Sequence, residues 1–260
     1  MSKLYLVGTG PGDKELIVPR AIAAIQDSSD LVAYGLYLDL LGELCEGKRH
    51  HDLPLGEEIG RARLALELAA SGKVTALISS GDIGIYAMAT LVFELLDQQL
   101  HDDQSGQCPQ WLDIDIEVIP GISAMQAGSS RAGALLGHDF CTISLSDLLT
   151  PWQTIEKRIH ACGQGDFVVS FYNPRSAKRD WQINTARDIL LQYRPPTTPV
   201  LLGRQLSRDD ESIKMITLAE LDANDVDMFT LVSVGNSQSR HIVNGSQQWI
   251  YTPRGYSKKL

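Results

Sequence analysis

Short apolar segments alternate with longer amphipathic segments from the beginning of this chain. Six apolar runs have the length of buried strands, at residues 4–7, 31–34, 74–79, 114–119, 141–145 and 167–171. Segments with helical spacing of apolar residues lie at 15–26, 59–71, 87–98, 124–134, 152–162 and 181–193. This alternation predicts an α/β protein with mostly parallel sheets.

The alternating pattern starts again after Pro120-Gly121. We therefore predict two α/β domains, residues 1–120 and 121–260, with a cleft between them. Three further strands are predicted at 200–203, 213–217 and 230–234, and their short connections favour some antiparallel pairing. A chain of 260 residues suits one large or two compact domains and needs no disulfide or metal to hold its core.

Composition and charge exclude several classes of protein. The chain has 23 Lys and Arg residues against 32 Asp and Glu residues, a net charge of −9. A general nucleic-acid-binding protein needs a broad basic surface, so we expect no nucleic-acid partner. No apolar run approaches the roughly 20 residues of a membrane span. The scattered cysteines predict neither a zinc site nor a disulfide framework, and with no signal peptide recognised we expect a cytoplasmic protein.

The first glycine-rich turn runs from Gly8 to Asp13, directly after the first predicted strand. Its GxGxG spacing differs from the GxGxxG of dinucleotide-binding folds. Pro11 also removes a backbone N–H that a pyrophosphate would need. Asp30, the acid at about the expected distance, precedes the second strand instead of ending it. The turn disfavours a nicotinamide cofactor, and taken alone it indicates a tight turn in which glycines adopt positive φ.

Two further turns follow predicted strands. The segment 79–86, Ser-Ser-Gly-Asp-Ile-Gly-Ile-Tyr, carries Asp82, whose carboxylate either accepts from a ligand or caps the next helix. The segment 120–124, Pro-Gly-Ile-Ser-Ala, opens a helix whose free N–H groups would face a ligand, with Ser123 as an ordinary N-cap the alternative. Open α/β sheets bind ligands at the carboxyl ends of their strands, where all three turns lie.

Polar residues elsewhere leave two interpretations open. Arg175, Lys178 and Arg179 follow one predicted strand, and they are either solvated or act as carboxylate clamps. We predict that the pair His50-His51 lies solvated in a polar loop. The pair His138-Asp139 is either a proton-transfer pair or a structural hydrogen bond. No G-x-S-x-G and no Walker loop occur, so neither a hydrolase elbow nor a P-loop is supported.

The order of the three turns is far more specific than any one of them: Val-Gly-Thr-Gly-Pro-Gly-Asp at 7–13, Ser-Ser-Gly-Asp-x-Gly-Ile-Tyr at 79–86 and Val-Ile-Pro-Gly-Ile-Ser-Ala at 118–124. In this order they resemble the tetrapyrrole methylase family of S-adenosylmethionine-dependent enzymes. Longer motifs at 34–39, 136–141, 143–152, 171–176 and 234–240 resemble one branch of that family. The resemblance covers nearly the whole chain.

The resemblance implies a two-domain α/β methyltransferase, usually a homodimer, with S-adenosylmethionine bound in the cleft between its domains. The implied cofactor-binding residues are Gly10, Pro11, Gly81, Asp82, Ile85, Ser123, Ala124, Tyr172 and Asn173. Ile83 stands where the family usually has proline. This loosens the second turn but keeps both of its glycines and Asp82, so we expect cofactor binding to be kept.

The branch resemblance implies a tetrapyrrole substrate in cobalamin biosynthesis, methylated at C17 with contraction of the ring. The substrate is precorrin-3B or its cobalt-bound counterpart, cobalt-factor III, and the sequence does not separate the two. A pyrrole-derived carbon is already nucleophilic, so methyl transfer mainly needs alignment and exclusion of water. Ring contraction also needs proton movement.

We expect His138, Asp147 or Tyr37 to supply the acid or base for that proton movement. We expect the substrate's carboxylates to be bound by Arg131, Arg175, Lys178 and Arg240, and we expect no metal ligated by the protein. Three alternatives remain: an RNA-modifying methyltransferase of the same fold, a nucleotide-dependent oxidoreductase, and a noncatalytic binding module that retains the cleft. The acidic charge and the branch motifs disfavour the first, and the GxGxG spacing disfavours the second.

Overall fold

A computed structural model of the chain describes residues 2–101, 110–176, 179–256 and residue 259. The chain divides into two compact units, Met1–Ser123 and Ala124–Leu260. Each unit contains a five-stranded sheet with helices between its strands. The predicted α/β class is therefore confirmed, and the two units are described in turn.

Unit 1 has a sheet in which every described pairing is parallel. Its elements are β1 (Lys3–Gly8), α1 (Pro19–Asp27), β2 (Asp30–Ala33), α2 (Gly35–Leu41), β3 (Arg49–Asp52), α3 (Glu58–Ala70), β4 (Val74–Ser79), α4 (Met88–His101) and β5 (Asp115–Ile119). The interior strand β1, which lies between β4 and β5, is apolar on both faces: Leu4 and Leu6 join one core cluster, while Tyr5 and Val7 join another. Helices cover both faces, which is why its sequence is a continuous apolar run.

The strand order in unit 1 is β3-β2-β4-β1-β5. From β1 the chain passes to β2 on one side, whereas from β4 it passes over β1 to β5 on the other side. Since β2 lies beyond β4, the connection from β1 passes over β4. The connections from the adjacent strands β1 and β4 therefore leave in opposite directions, with α1 on one face of the sheet and α4 on the other. In open α/β sheets, ligands bind at such a switch point, outside the carboxyl ends of the strands. The first two glycine-bearing turns follow β1 and β4.

Unit 2 has a mixed sheet and a small additional one. Its elements are α5 (Ala124–Ala132), β6 (Gly133–Ala134), β7 (Phe140–Ser144), α6 (Trp152–Gln164), β8 (Val168–Tyr172), α7 (Gln182–Leu190), β9 (Pro199–Arg204), β10 (Ser212–Thr217), β11 (Thr230–Val234), β12 (Arg240–Asn244) and β13 (Gln247–Tyr251). The larger sheet has the order β10-β9-β11-β8-β7, and the smaller one β12-β13-β6.

Strand direction in unit 2 determines which loops share an edge. β7 and β8 are parallel, while β11 runs antiparallel to both β8 and β9. Consequently β7, β8 and β9 point the same way and their carboxyl ends lie at one edge of the sheet. β10 is antiparallel to β9, so the antiparallel pairing expected in the last third is confirmed.

The sequence pattern did not predict α2, β3 or the hairpin of β12 and β13. The prediction that His50-His51 lies in a solvated loop is wrong, because both belong to β3, which pairs in parallel with β2. β3 has the sequence Arg-His-His-Asp and no apolar residue, so no hydrophobic alternation identifies it as a strand. The hairpin did carry a signal, since its two loop residues are Gly245 and Ser246, and two-residue hairpin loops favour glycine at the first position, where φ is positive.

A buried carboxylate explains why the polar strand β3 joins the sheet. Asp30 begins β2, is fully buried, and lies opposite Arg49 in the strand register. Its carboxylate accepts hydrogen bonds from Arg49 Nη2 and from Ser29 Oγ, at 2.9 and 2.7 Å, and lies 2.9 Å from His51 Nε2. Burial raises the pKa of Asp30, but the hydrogen bonds from His51 and Arg49 outweigh it and hold the pKa well below its usual range.

We expect Asp30→Asn to lower the free energy of unfolding at pH 7 by about 2 kcal/mol, because charge-assisted hydrogen bonds to a buried group are lost. The pKa of Asp30 is lower in the folded chain than in the unfolded chain. As the pH falls, the unfolded chain therefore binds a proton first, and this favours unfolding. Wild-type stability should therefore fall as the pH drops below about 4, and the variant's stability should fall less over that interval. Urea unfolding at several pH values measures both effects.

Asp115→Asn is the matched control. Asp115 forms an exposed ion pair with Lys3 at 2.6 Å, and such surface pairs contribute little. An equal loss of stability in both variants would contradict the role assigned to Asp30.

Candidate functional site

The turns that follow β1 and β4 are joined by a reciprocal pair of backbone hydrogen bonds. Gly10 N donates to Gly81 O at 3.1 Å, and Gly81 N donates to Gly10 O at 2.7 Å. Both residues have positive φ, 77° and 67°, which glycine adopts without strain. Two of the residues implied to bind the cofactor therefore form a two-residue bridge at the switch point.

Asp82 ties the second turn to the third. Its Oδ1 accepts from Gly84 N at 2.7 Å, and its Oδ2 accepts from Gly121 N at 3.1 Å. α4 begins only at Met88, so Asp82 does not occupy that helix's N-cap position. The sequence left two interpretations of Asp82 open, and helix capping is wrong. The carboxylate instead accepts hydrogen bonds from backbone N–H groups in the second and third turns.

The backbones of the three turns approach too closely for side chains. A Cβ on Gly8 would lie 2.7 Å from the carbonyl oxygen of Gly81, and a Cβ on Gly121 would overlap the same oxygen. Neither position has a positive φ, so steric contact rather than backbone conformation requires glycine there. The three loops form one closely packed unit around the Gly81 peptide.

The remaining residues of the second turn divide between core and surface. Ile83, the departure from the family's proline, is fully buried in the core, whereas Ile85 is half-buried. Tyr86 is 50% exposed and has a φ of 52°, a conformation unusual for a bulky side chain. Such strain is common at functional sites, so Tyr86 is a candidate that the sequence analysis missed. No sequence pattern signals a positive φ at a tyrosine.

In the first and third turns, Pro11 and Ser123 are both buried. Ser123 directly precedes α5, whose first residue is Ala124. In unit 2, Tyr172 Oη accepts a hydrogen bond from Met125 N at 3.1 Å, so the end of β8 contacts the beginning of α5. Two further candidates, Ala124 and Tyr172, are thereby brought together.

Asn173 follows β8 and has a φ of 52°. Its Nδ2 donates to Ser144 Oγ at 3.0 Å, and its carbonyl oxygen accepts from Arg179 Nη2 at 3.3 Å. Asparagine adopts this conformation more readily than most residues, and the two contacts hold it. Tyr172 and Asn173 thus lie at the edge where β7, β8 and β9 end.

Asp147 lies at the same edge, in the loop after β7. Its Oδ2 accepts from Gln182 Nε2 at 3.1 Å, and its Oδ1 lies 4.0 Å from Arg179 Nη1. Arg179 and Gln182 are both buried, whereas the Asp147 side chain is partly exposed. Arg179 and Gln182 therefore orient the carboxylate from the protein interior, while part of it faces solvent. This arrangement suits a group that exchanges a proton.

The other two acid–base candidates lie elsewhere. His138 precedes β7, so it lies at the opposite end of that strand from Asp147; five residues at about 3.3 Å each separate the strand's two ends. Its Nδ1 accepts from Asp139 N at 2.7 Å, a local contact. Tyr37 lies on α2 in unit 1, after the carboxyl end of β2, and packs edge-to-face on Tyr34 at 5.5 Å.

The four basic candidates differ in their surroundings. Arg131 Nε contacts both carboxylate oxygens of Glu211, at 3.0 and 3.2 Å. Arg175 is half-buried and its Nη1 donates to Ala223 O at 2.6 Å. Arg240 begins the exposed strand β12. Lys178 lies outside the described residues. Among the three described residues of this set, Arg175 alone follows closely on Tyr172 and Asn173.

Within the described parts of the chain, no group of three or more His, Cys, Asp or Glu side chains is arranged to hold a metal ion. Over the same parts, no helix is long and apolar enough to cross a bilayer. Unit 1 therefore contains a set of hydrogen-bonded backbone turns, and unit 2, taken by itself, contains a polar strand edge. Both can bind and orient a ligand.

Comparison with known proteins gives a consistent result. A family model described as Tetrapyrrole (Corrin/Porphyrin) Methylases matches residues 3–222. The chain is 44% identical to the cobalt-factor III methyltransferase of Priestia megaterium over 99% of this chain and 46% of that protein. The chain thus spans about half the length of that curated relative.

Two other relatives match over nearly their whole length. A probable cobalt-factor III C(17)-methyltransferase of Salmonella typhimurium is 42% identical, over 98% of this chain and 99% of the relative. A precorrin-3B C(17)-methyltransferase of Sinorhizobium sp. is 38% identical, over 98% of this chain and 97% of the relative.

Solved structures match as well. The crystal structure of the methyltransferase CobJ has a TM-score of 0.88 and 36% identity, covering 97% of this chain and 100% of that one. A uroporphyrin-III C-methyltransferase from Thermus thermophilus, complexed with S-adenosylhomocysteine, has a TM-score of 0.63 and 20% identity, covering 90% and 97%. The second likeness shows the fold alone.

We expect Gly121→Ala to lower the free energy of unfolding by about 1–3 kcal/mol, because the added methyl group overlaps the Gly81 carbonyl and forces the loops apart. Urea denaturation measures this. Gly60→Ala is the control, since Gly60 lies in α3 and its Cβ would meet only ordinary contacts. That variant should be unchanged or more stable by about 0.5–1 kcal/mol. Equal stability of Gly121→Ala and wild type would contradict the packing described here.

Proposed function

Because the chain belongs to the tetrapyrrole (corrin/porphyrin) methylase family, we propose that it is an S-adenosylmethionine-dependent C-methyltransferase. It methylates C17 of a precorrin-3B-type macrocycle with ring contraction, in cobalamin biosynthesis. The observation that carries this proposal is the set of three turns of unit 1, joined by the Gly10–Gly81 backbone pair and by Asp82. The names of full-length relatives give it a substrate class.

The residues of the three turns fit S-adenosylmethionine. Asp82 offers carboxylate oxygens to a hydroxyl or ammonium group, and the half-buried Ile85 offers apolar surface. Glycines at positions 10 and 81 let a ligand approach the backbone without a side chain in the way. On unit 2, Tyr172 and Asn173 are held in fixed positions by Met125 N and Ser144 Oγ. We assign cofactor binding to these groups together with Pro11, Ser123 and Ala124.

S-adenosylmethionine supplies an electrophilic methyl group on a positively charged sulfur. The protein's contribution to methyl transfer is to align the macrocycle carbon with that methyl group and to exclude water. Loops tied together by hydrogen bonds keep this geometry without reorganisation. That explains why a catalytic triad is not needed for this step.

We assign the proton movement of ring contraction to Asp147. The assignment is supported by its partly exposed carboxylate, which Gln182 and Arg179 orient, and by its place at the same strand edge as Asn173. His138 lies at the other end of β7 and is a second choice. Tyr37, on α2, is kept as the candidate on unit 1. For the substrate's carboxylates we favour Arg175, because the Arg131 guanidinium already pairs with Glu211.

The substrate is either precorrin-3B or cobalt-factor III, and relatives with both names match this chain at similar identity. Selection between them would depend on contacts with the macrocycle, because the metal belongs to the substrate. As its assembly we propose a homodimer, which light scattering after size-exclusion chromatography tests.

The decisive experiment is single-turnover mass spectrometry with methyl-labelled S-adenosylmethionine, offering precorrin-3B and cobalt-factor III in parallel. We expect one label in the macrocycle and release of S-adenosylhomocysteine. Label in one macrocycle alone identifies the substrate. Label in neither, with both substrates verified intact, would contradict the proposed activity.

We expect Asp82→Ala to weaken binding of S-adenosylhomocysteine at least tenfold in isothermal titration calorimetry, because a ligand acceptor and the tie to Gly121 are both lost. Asp82→Asn retains one acceptor oxygen and should lose less affinity. Asp97→Ala, an exposed acid on α4, is the control and should bind as the wild type does. Wild-type affinity in Asp82→Ala would refute the assigned role.

A further inference from the structure

Two consecutive leucines, Leu148 and Leu149, lie almost entirely in solvent. Their exposed fractions are 84% and 98%. They belong to the loop 145–151 between β7 and α6, which we call the dileucine loop. Single exposed apolar residues are ordinary on protein surfaces, but adjacent ones that expose this much apolar area mark binding surfaces. If both ends of the loop are anchored, the exposure of the two leucines is a feature of the fold.

The first half of the dileucine loop is held firmly. Leu145 is fully buried, and its N–H donates to Tyr172 O at 2.9 Å. Ser146 Oγ accepts from Arg179 Nη1 at 3.2 Å. Asp147, directly before the leucines, accepts from Gln182 Nε2 at 3.1 Å. Each residue up to the leucines is therefore fixed to β8, to Arg179 or to the first residue of α7.

The second half of the loop is held as well. Pro151 occupies the N-cap position of α6, and the next residue, Trp152, packs edge-to-face on Trp181 with ring centroids 4.7 Å apart. Trp181 in turn precedes α7. With both ends fixed, the leucines project from a supported loop, so their exposure is a property of the fold.

The loop is continuous with the candidate site. Arg179, which binds Ser146, also donates from Nη2 to the carbonyl oxygen of Asn173 at 3.3 Å. Two residues beyond Asn173 lies the half-buried Arg175. The same edge thus combines an apolar pair, a carboxylate and a cation on a protein whose net charge is negative. This combination suits a broad, flat, apolar ligand that carries carboxylates around its rim.

We propose that Leu148 and Leu149 pack against one face of the tetrapyrrole macrocycle and determine the chain's affinity for it. This inference rests on the proposed function and adds to it a substrate-positioning element that lies outside the turns assigned to the cofactor. The macrocycle's apolar face covers the leucines, while its rim carboxylates lie towards Arg175. The dileucine loop makes no contribution to S-adenosylmethionine binding.

The test compares the double variant Leu148→Ser/Leu149→Ser with the wild type. Titration of precorrin-3B and of cobalt-factor III, followed by absorbance with S-adenosylhomocysteine present, should give a macrocycle dissociation constant at least tenfold higher in the variant. In turnover, KM for the macrocycle should rise by a similar factor, and kcat should stay within about twofold. The thermal midpoint and S-adenosylhomocysteine affinity should be unchanged, since the substituted side chains make no core contacts.

The control variant is Leu55→Ser/Leu100→Ser, which removes two exposed leucines from unit 1. It should bind the macrocycle as the wild type does. Equal macrocycle affinity in the dileucine variant and the wild type would overturn the inference. So would a change from dimer to monomer in light scattering with macrocycle affinity kept, which would assign the leucines to a contact between copies of the chain.

Different results would contradict the proposed function and the proposed role of the dileucine loop. A wild-type chain that binds a macrocycle but transfers no methyl group to it contradicts the proposed function and leaves the binding comparison intact. A wild-type chain that transfers methyl groups, with unaltered KM in the dileucine variant, contradicts only the role of the loop. A wild type that binds neither macrocycle overturns both.

Discussion

The carbonyl oxygen of Gly81 is the point on which unit 1's site depends. It accepts the hydrogen bond from Gly10, and it lies so close to Gly8 and Gly121 that neither tolerates a Cβ. Three loops from three adjacent strands therefore converge on one peptide group. Asp82, the next residue, adds a side-chain tie to Gly121. Parallel strands in the order β4-β1-β5 are what bring these loops together, so the sheet's topology and the site's geometry have a single origin.

The loops of unit 2 are also held in place, but by side chains and not by close backbone contacts. Its loops are held by side chains, above all by the buried guanidinium of Arg179, which contacts Ser146 and the backbone of Asn173. The close backbone contacts seen in unit 1 require glycine, which has no functional side chain. Side-chain contacts allow functional groups such as Asp147 to be part of the support itself.

The sequence predicts most of the fold because its strands are buried on both faces and alternate with helices of distinct period. It also places the three turns at strand ends, since glycine and proline punctuate the chain there. Prediction from the sequence fails where tertiary contacts, and not the local pattern of residues, determine the structure. β3 has no apolar pattern and joins the sheet with Arg49 and His51 in contact with the buried Asp30, and the strain at Tyr86 has no sequence signature. The role of Arg179 was likewise not predicted, because a basic residue in a polar run indicates either a solvated charge or a carboxylate clamp, whereas Arg179 is buried and holds two loops.

The polar strand β3 has a consequence for the chain's behaviour in a crowded solution. β3 is the outermost strand of unit 1's sheet, only four residues long, and largely exposed. An open sheet edge is a template on which another extended chain can add and begin aggregation. A short edge made of Arg, His, His and Asp offers such a chain no apolar side chains to pack on, and it places charge where pairing would begin. The residues that secure Asp30 thereby also protect the sheet against uncontrolled growth.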